Sequence, residues 1–212
     1  MPLQLNPLME NNLTLYGASG HAKVIIDILC KNHVTINCIM DDNPKSDHIL
    51  GFPVLKTAEV DHSKLTNVII AIGNNRVRKL LSKRISVFFP TAIHPTAVVS
   101  QFAVLGGGTV VMAGSLINPD SRIGTHCIIN TGSIVEHDCL IGDFVHISPG
   151  VSLAGGVSVG EGAHVGIGAT VIQGVSIGKW AVIGAGAVII HDVPDYAVVV
   201  GIPGKILKYN KE

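Results

Sequence analysis

The sequence has little charge, few aromatic side chains and no long hydrophobic run. Only 14% of its 212 residues are charged, and 15 basic side chains balance 15 acidic ones. This balance leaves no net field that would attract nucleic acid or an anionic membrane surface. No segment approaches the roughly 20 consecutive apolar residues that a membrane-spanning helix needs. We therefore expect neither nucleic acid nor a membrane as a partner.

Cysteine is scarce and unpaired in sequence. The four cysteines, Cys30, Cys38, Cys127 and Cys139, include no C-x-x-C pair. The first ten residues, 1–10, contain two prolines and no basic stretch, so they are interpreted as a loose arm and not as a secretory signal. Together these features predict a protein of the reducing cytoplasm.

A six-residue repeat occupies the second half of the chain. From Ile93 to Ile189 every sixth residue is Ile, Val or Leu without a break, and the residue four places after each is small or short. Two strand residues that are two positions apart face the same side, so both sets face inward. The remaining residues turn a corner, often at a glycine. Three consecutive hexapeptides make one coil of a triangular prism, and stacked coils bury a continuous core that includes Cys127 and Cys139.

This repeat resembles the left-handed parallel β-helix of the hexapeptide acyltransferases, and the left hand is taken from that resemblance. The resemblance runs from Ile93 to about Lys208 and includes the tail "VPDYAVVVGIPGKILK". Residues 91–212 are therefore assigned to a β-helix domain that binds acetyl-CoA and carries the catalytic residues.

Upstream, residues 11–90 alternate between strand and helix patterns. "LTLYGASGHAKVIIDIL" predicts a strand, a glycine turn and an amphipathic helix; "TINCIM" predicts a strand that ends at Asp41 and Asp42; "NVIIAIGNN" predicts a strand that ends at Gly73. Such alternation predicts a small Rossmann-like parallel sheet with ligands at the carboxyl ends of its strands. The turn from Gly17 to His21 lacks the G-x-G-x-x-G fingerprint, but an acidic pair after the second strand favours a nucleotide.

The stretches "YGASGH", "DD", "IAIGNN" and "EHDCLIGDFVHIS", in that order, resemble the PglD/NeuD group of sugar-nucleotide acetyltransferases. The resemblance covers about Leu13 to Lys208. It implies acetyl transfer from acetyl-CoA to an amino or hydroxyl group of a nucleotide-linked sugar, with no metal. It also implies that the small domain holds the nucleotide sugar through Ser19, Gly20, His21, Asp41, Asp42 and Gly73.

An acid–base cluster interrupts the apolar repeat at Glu136, His137 and Asp138. His137 and Asp138 follow the inward Val135 by two and three positions, so they are predicted to stand on a corner. An imidazole titrates near neutral pH and can accept a proton during acyl transfer, and a carboxylate can orient it. The spacing alone also fits a solvated charged corner. The family resemblance implies that His137 is the base and Asp138 its polarising acid, with Gly155, one coil above, leaving room for a ligand.

The same resemblance implies that His146, Ile167 and Ala185 contact acetyl-CoA, although Ala185 stands where glycine is usual. His146 is predicted to lie on a different side of the prism from His137. We therefore expect a homotrimer in which the two histidines meet across subunit boundaries. Lys205 and Lys208 fit either the CoA phosphates or a solvated tail.

The favoured function is N-acetylation of a UDP- or dTDP-linked 4-amino-4,6-dideoxy sugar for surface polysaccharide or glycan synthesis. The alternatives are a sialic acid (NeuD-type) or other sugar O-acetyltransferase and a non-catalytic β-helix that binds sugar nucleotides. A zinc-dependent carbonic anhydrase on the same fold would need three converging histidines, which the spacings do not favour. The sequence does not distinguish the nucleobase, or an amine from a hydroxyl acceptor.

Overall fold

The computed structural model describes residues 13–211, so the arm predicted at residues 1–10 lies outside the described residues. The described chain forms a small α/β domain followed by a parallel β-solenoid with few helices, which confirms the predicted fold class. No helix within residues 13–211 has the length and apolar character needed to cross a membrane.

The small domain is built on a five-stranded sheet of order β3-β4-β2-β1-β5, parallel except for the antiparallel pair β3–β4. The carboxyl ends of β1, β2 and β5 therefore lie at one edge, where the candidate nucleotide residues follow them. The elements are β1 Leu13–Tyr16, α1 Gly20–Lys31, β2 Ile36–Asp41, β3 His48–Ile49, β4 Phe52–Lys56, 3₁₀ helices Thr57–Glu59 and His62–Lys64, β5 Asn67–Ile70 and α2 Asn75–Ser82.

Helix α1 is amphipathic and joins the two domains. Its buried residues, Ala22, Ile25, Ile26, Ile28 and Leu29, recur at helical spacing and form one stripe against the sheet. At its C-cap the Asn32 amide donates 2.8 Å to the Ile28 carbonyl and 2.9 Å to the carbonyl of Ile93 in the first solenoid strand. The end of α1 is therefore tied to the solenoid as well as to its own helix.

Seventeen two-residue strands, β6–β22, form the solenoid within the described residues. In order they are Ala92–Ile93, Val98–Val99, Val104–Leu105, Val110–Val111, Leu116–Ile117, Arg122–Ile123, Ile128–Ile129, Ile134–Val135, Leu140–Ile141, His146–Ile147, Ser152–Leu153, Ser158–Val159, His164–Val165, Thr170–Val171, Ser176–Ile177, Val182–Ile183 and Val188–Ile189. Strands β23 Ala197–Val200 and β24 Lys205–Tyr209 complete the chain.

These strands form three sheets, one on each side of the prism. The first sheet contains β6, β9, β12, β15, β18, β21, β23 and β24; the second contains β7, β10, β13, β16, β19 and β22; the third contains β8, β11, β14, β17 and β20. Paired residues such as Ile129 and Ile147 are separated by three hexapeptides, which confirms the predicted coil. Cys127 and Cys139 are fully buried in the aliphatic core, as predicted.

The small domain packs on the outer face of the first sheet. Ala92, Val110 and Ile128 point outward from β6, β9 and β12 and belong to one buried cluster with Ile25 and Ile28 of α1. Burial of this apolar patch favours docking but gives it no directional preference. Outward positions of the other two sheets are exposed or half-buried, and within the described residues only one side of the prism carries the small domain.

The corner between the third and first sheets carries bulky residues where the other corners carry mostly glycine. His126, Phe144 and Trp180 have φ of 52°, 59° and 57° there, a left-handed conformation that glycine normally supplies. The His126 ring stacks on Phe144 at 5.3 Å, and Trp180 covers Gly162 so closely that a Cβ there would lie 2.4 Å from the indole. Helix α2 lies against this corner.

Arg78 of α2 is a buried charged contact between the domains, and the sequence did not reveal it. Its side chain is 1% exposed, and burial lowers its pKa to about 10, so it remains charged at neutral pH. All five of its N–H donors reach an oxygen. The acceptors are the carbonyls of Ile72, Gly73, His126 and Phe144 and the Oδ1 of Asn75.

Candidate active site

His137 and Asp138 lie on the corner between the second and third sheets, where the repeat placed them. The chain leaves β13 at Val135 and enters β14 at Leu140, and Asp138 takes φ +61° to make the turn. This turn brings Asp138 Oδ2 within 2.7 Å of His137 Nδ1, with the side chains 65% and 63% exposed. The pair is therefore formed within one chain and is accessible from solvent.

Asp138 makes His137 a stronger base. The hydrogen bond to Asp138 raises the pKa of His137, and the negative charges of Asp138 and Glu136 raise that pKa further. Because Nδ1 donates to the carboxylate, Nε2 is the nitrogen left to accept a proton. Glu136 acts only through its charge, since its own Oε2 accepts a hydrogen bond of 2.9 Å from Asn118. The catalytic roles of His137 and Asp138 remain predictions.

The prediction that Gly155 leaves room for a ligand is wrong. A Cβ built at Gly155 would lie 2.6 Å from His137 Cε1 and 2.8 Å from Nε2, so the imidazole itself occupies that space. The glycine thus lets the ring pack against the next coil while Nδ1 stays on Asp138. The absence of a side chain at Gly155 therefore allows this position of the His137 ring.

Replacing Gly155 with alanine should therefore move His137 off its carboxylate. The added Cβ conflicts with the ring, whereas the ring end can shift, so we expect a folded protein with a displaced imidazole. We expect kcat to fall by about tenfold or more, because about 1 Å of misplacement can cost up to about 10²-fold. Steady-state kinetics with calorimetric binding of acetyl-CoA would test this. An unchanged kcat would show that the ring position is not important.

His146 lies in β15 of the first sheet and faces the small domain of its own chain. Its ring stacks on His164 at 4.7 Å, and its Nε2 lies 3.1 Å from the Asn130 side-chain amide. The amide is a donor, so Nε2 accepts and Nδ1 carries the hydrogen. Burial, followed by the charges of His164, Arg78 and His21, lowers the pKa of His146 to about 3. His146 is therefore a neutral group at neutral pH.

Two of the predicted nucleotide-sugar residues meet His146 at this seam. The Gly73 carbonyl and the His21 imidazole both act on the pKa of His146. Burial and the nearby Arg78 charge lower the pKa of His21 itself to about 4. Ser19 and Gly20 are exposed at the start of α1, on the same edge of the sheet. The structure thus brings the predicted sugar edge and one predicted CoA contact together in one chain.

Asp41 and Asp42 shape this edge as well as facing it. The two carboxylate oxygens of Asp41 accept the backbone N–H groups of Ala18 at 2.8 Å and Asn43 at 2.9 Å, which holds the glycine turn against β2. Asp42 accepts the hydroxyl of Tyr16 at 2.6 Å, and this bond lowers the pKa of Asp42. The predicted contact with a nucleotide would have to use the remaining lone pairs.

Beside Gly73 a cleft of about 550 Å³ opens between α2 and the solenoid. Gly73, His164 and Trp180 line it, so the cleft continues from the predicted sugar edge along the first sheet. The volume is in the range of small-molecule sites. Nothing in the sequence pattern indicates this cleft, because it forms only when the two domains dock.

Ile167 and Ala185 lie on the corner between the first and second sheets, one corner away from His137. Both are exposed, and Ile167 is 57% accessible. They stack on successive coils, where Gly186 N–H donates 2.8 Å to the Ile167 carbonyl. One chain therefore does not unite His137 with these two residues. Lys205 and Lys208 are exposed on β24. Residues 13–211 contain no group of three His, Cys, Asp or Glu side chains arranged to hold a metal.

Comparison with known proteins identifies both domains. A family model described as the PglD N-terminal domain matches residues 12–85. A perosamine N-acetyltransferase from Caulobacter crescentus, crystallised with CoA and GDP-perosamine as a histidine-to-asparagine variant, is 42% identical; the alignment covers 94% of this chain and 98% of that chain with a TM-score of 0.90. The acetyltransferase domain of PglB from Neisseria gonorrhoeae, in complex with acetyl coenzyme A, is 36% identical over 92% of this chain and 98% of that chain, with a TM-score of 0.86.

A curated relative, the UDP-N-acetylbacillosamine N-acetyltransferase of Bacillus subtilis, is 43% identical over 111 residues. That match covers 48% of this chain and 51% of the relative, so it spans about half the length of each. The structural matches, in contrast, extend over nearly the whole of both chains. The similarity therefore includes the small domain, the solenoid and their relative placement.

Proposed function

Since this chain belongs to the PglD group of hexapeptide-repeat sugar-nucleotide acetyltransferases, we propose that it moves an acetyl group from acetyl-CoA to the amino group of a nucleotide-linked amino sugar. The observation that carries this proposal is the exposed His137–Asp138 pair. It lies in a chain similar, over nearly all its length, to an enzyme crystallised with CoA and an amino-sugar nucleotide.

The geometry supports a direct transfer with His137 as general base. The sugar amine attacks the thioester carbonyl, and His137 Nε2 takes the proton that the nitrogen loses. The carbon–sulfur bond breaks, the amide forms, and CoA leaves as the thiol after protonation from the imidazolium. Asp138 stabilises the imidazolium through Nδ1, at 2.7 Å, during the step.

The relatives widen the set of candidate nucleotides beyond the UDP or dTDP favoured by the sequence. The Caulobacter relative was crystallised with GDP-perosamine, and the Bacillus relative is named for a UDP-linked sugar. We propose that the acceptor is a 4-amino-4,6-dideoxy sugar linked to GDP, UDP or dTDP. Its N-acetylated product would serve surface polysaccharide or glycan synthesis, and the enzyme would work in the cytoplasm.

We also propose a homotrimer with its sites between subunits. Within one chain His137 occupies a different corner from Ile167 and Ala185, so a second subunit must supply one side of the site. The free sheets support self-association, because their outward positions include Val98, Val104, Leu116 and Leu140, which are 63%, 53%, 37% and 50% exposed.

The decisive experiment measures thiol release from acetyl-CoA with a panel of GDP-, UDP- and dTDP-linked 4-amino sugars. The matched acceptors carry a hydroxyl at the same carbon, and free sialic acid tests the O-acetyltransferase alternative. Rapid turnover restricted to amino sugars supports the proposal. Turnover only with hydroxyl acceptors would contradict N-acetylation, and no thiol release with any acceptor would favour a non-catalytic binding protein.

Variants of the small-domain edge test its assignment to the nucleotide sugar. Replacing His21 or Asp41 with alanine should raise the KM for the sugar nucleotide by about 10-fold or more, the scale of a lost hydrogen bond to a charged group. The Asp41 variant should have the larger effect, because it also releases the N–H groups of Ala18 and Asn43.

Calorimetry should find acetyl-CoA binding by the Asp41 variant within about twofold of wild type, since such small changes lie within the scatter of surface substitutions. If the Asp41 variant lost CoA affinity instead, the assignment of the two ligands to the two domains would be wrong. His21 acts on the pKa of His146. Acetyl-CoA binding by the His21 variant therefore shows how strongly the predicted sugar-nucleotide and acetyl-CoA sites are coupled.

A further inference from the structure

Three successive coils present carbonyl groups to helix α2 at one corner of the solenoid. These are the carbonyls of His126, Phe144 and Gly162, each one coil above the last, and we call them the carbonyl column. The left-handed φ of all three residues, 52°, 59° and 68°, turns the chain at this corner. Among the backbone hydrogen bonds of the described residues, none uses these three oxygens. The solenoid therefore leaves them for another partner.

Two side chains of α2 bind this column. Arg78 donates through Nε to His126 O at 2.7 Å and through NH2 to Phe144 O at 2.9 Å. Asn75 donates through Nδ2 to Gly162 O at 3.1 Å, and its Oδ1 accepts from Arg78 at 2.8 Å. Both side chains are buried. One coupled pair of side chains thus contacts three consecutive coils.

The opposite side of Arg78 binds the small domain at the sugar edge. Its NH1 group donates to the carbonyls of Ile72 and Gly73, at 2.9 and 3.2 Å. Gly73 is the residue whose carbonyl acts on His146. A single guanidinium therefore links the end of β5 directly to the solenoid, with fixed geometry at both ends.

We propose that Arg78, with Asn75, is a positioning residue for acetyl transfer: it sets the height of the small domain along the solenoid axis, and thereby the height at which the sugar amine meets the thioester. The inference rests on the proposed function. Arg78 and Asn75 align the two domains and take no part in the chemical step.

Other polar contacts across the seam each involve a single coil: the Asn32 amide donates to the Ile93 carbonyl, and Lys79 pairs with Glu161. Arg78 and Asn75 instead contact three successive coils, so together they fix the small domain at more than one height.

The patch of Ala92, Val110 and Ile128 is apolar on three successive coils and is followed by His146 and His164 on the next two. Burial therefore opposes a slip of a whole coil but does not fix smaller displacements along the axis. Adjacent coils are about 4.8 Å apart, whereas reacting atoms must approach to about 3–3.5 Å. A fraction of one coil of misplacement would therefore separate the amine from the thioester. The planar guanidinium holds its carbonyls at fixed distances and angles, so it resists displacement by a fraction of a coil.

The test compares Arg78→Lys, which keeps the charge but loses the planar fork, and Asn75→Ala, which loses the bonds to Gly162 and Ala163. Lys83→Ala is the matched control, because Lys83 is an exposed cation at the end of α2. The measurements are kcat per folded trimer, Kd for the sugar nucleotide and Kd for acetyl-CoA.

We expect kcat to fall at least about tenfold in both variants, with each Kd within about threefold of wild type and the control unchanged. A purely structural role would lower the melting temperature and the folded fraction but leave kcat per folded molecule intact, and this result would overturn the proposal. An unchanged kcat with a raised Kd would overturn it as well. If Arg78→Lys does not fold, Asn75→Ala alone decides.

Spin-label distances separate this inference from the proposed function. Labels at Lys31→Cys on α1 and Lys179→Cys on the solenoid, in a Cys30→Ser, Cys38→Ser background, report the domain height without any turnover. Doubly labelled subunits are diluted into an excess of unlabelled ones, so that a trimer holds one labelled subunit. We then expect one narrow distance in the wild type and a shifted or broadened distance in both variants. An unshifted distance would overturn the positioning role even if no acceptor is ever acetylated.

Discussion

Replacement of His137 by alanine is expected to lower kcat by about 10²–10⁴-fold, the usual contribution of a positioned general base. The side chain is 63% exposed and bonded only to its neighbour Asp138, so its removal leaves the solenoid core intact. Binding of acetyl-CoA and the sugar nucleotide should survive, because the imidazole acts mainly in the transition state. Steady-state kinetics would measure the loss of kcat, and calorimetry would show whether both ligands still bind.

The pH profile provides a second test of the same residue. A base must be deprotonated to act, so kcat/KM should be low at acid pH and rise through the pKa of His137. The hydrogen bond to Asp138 raises that pKa, so Asp138→Ala should move this limb to lower pH as well as reduce kcat. The loss at Asp138 should be smaller than at His137, because the carboxylate only orients and stabilises the imidazole.

Two outcomes would contradict this assignment. A His137→Ala enzyme with wild-type turnover would exclude the general-base mechanism, and a modest loss with a raised KM would make His137 a binding residue. Deprotonation of a sugar amine with a lowered pKa would also make activity rise with pH, so the pH profile is interpreted together with the His137→Ala result. Glu136→Gln is the matched control, because Glu136 is bonded to Asn118 and adds only distant charge. Its pH limb should shift slightly and its kcat should stay close to wild type.

The repeat made the solenoid predictable from sequence, because its period is set by local backbone geometry and inward packing. Every inward position from Ile93 to Ile189 follows from one six-residue rule, and the pairing of strands on neighbouring coils confirms it. The corner of His137 and Asp138 follows from the same rule. In a β-solenoid the place of a residue in the repeat therefore predicts its side or corner of the prism and its coil.

The docking of the small domain could not be derived in this way. In "RVRKLLSKRI" the sequence does not distinguish Arg78 from the other cations. Its buried hydrogen bonds to the carbonyls of His126 and Phe144 are evident only in the structure. A usable signal existed in the corner positions, where His126, Phe144 and Trp180 replace glycine at left-handed φ. Bulky residues at such positions indicate that something covers the corner.

Side-chain partners account for the remaining differences. Gly155 was expected to leave space, but the sequence does not show which rotamer His137 adopts, and the ring fills that space. Asp41 was expected to contact the nucleotide sugar, and the sequence did not show that its carboxylate oxygens also accept two backbone N–H groups. Rotamers and hydrogen bonds of this kind depend on the packed environment, so residue type and spacing alone do not specify them.

Co-expression of His137→Ala and His146→Ala subunits is expected to restore activity that neither variant has alone. In one chain His146 lies on the first sheet beside His21 and Gly73 of the small domain, whereas His137 occupies the corner between the other two sheets. If each site combines the His146 side of one subunit with the His137 corner of the next, a random mixture rebuilds about a quarter of the sites with both histidines.

The recovery should therefore reach about a quarter of wild-type turnover, from a His137→Ala parent reduced by about 10²-fold or more and a His146→Ala parent with impaired use of acetyl-CoA. Two affinity tags would isolate the mixed trimers, and sedimentation would establish their mass. The matched control pairs His137→Ala with the double variant His137→Ala, His146→Ala, which contains no intact corner and should stay inactive. Mixed trimers without recovered activity would show that each chain builds its own site. A monomer with full turnover would exclude the inter-subunit site altogether, because His137 would then have to reach the first sheet within one prism.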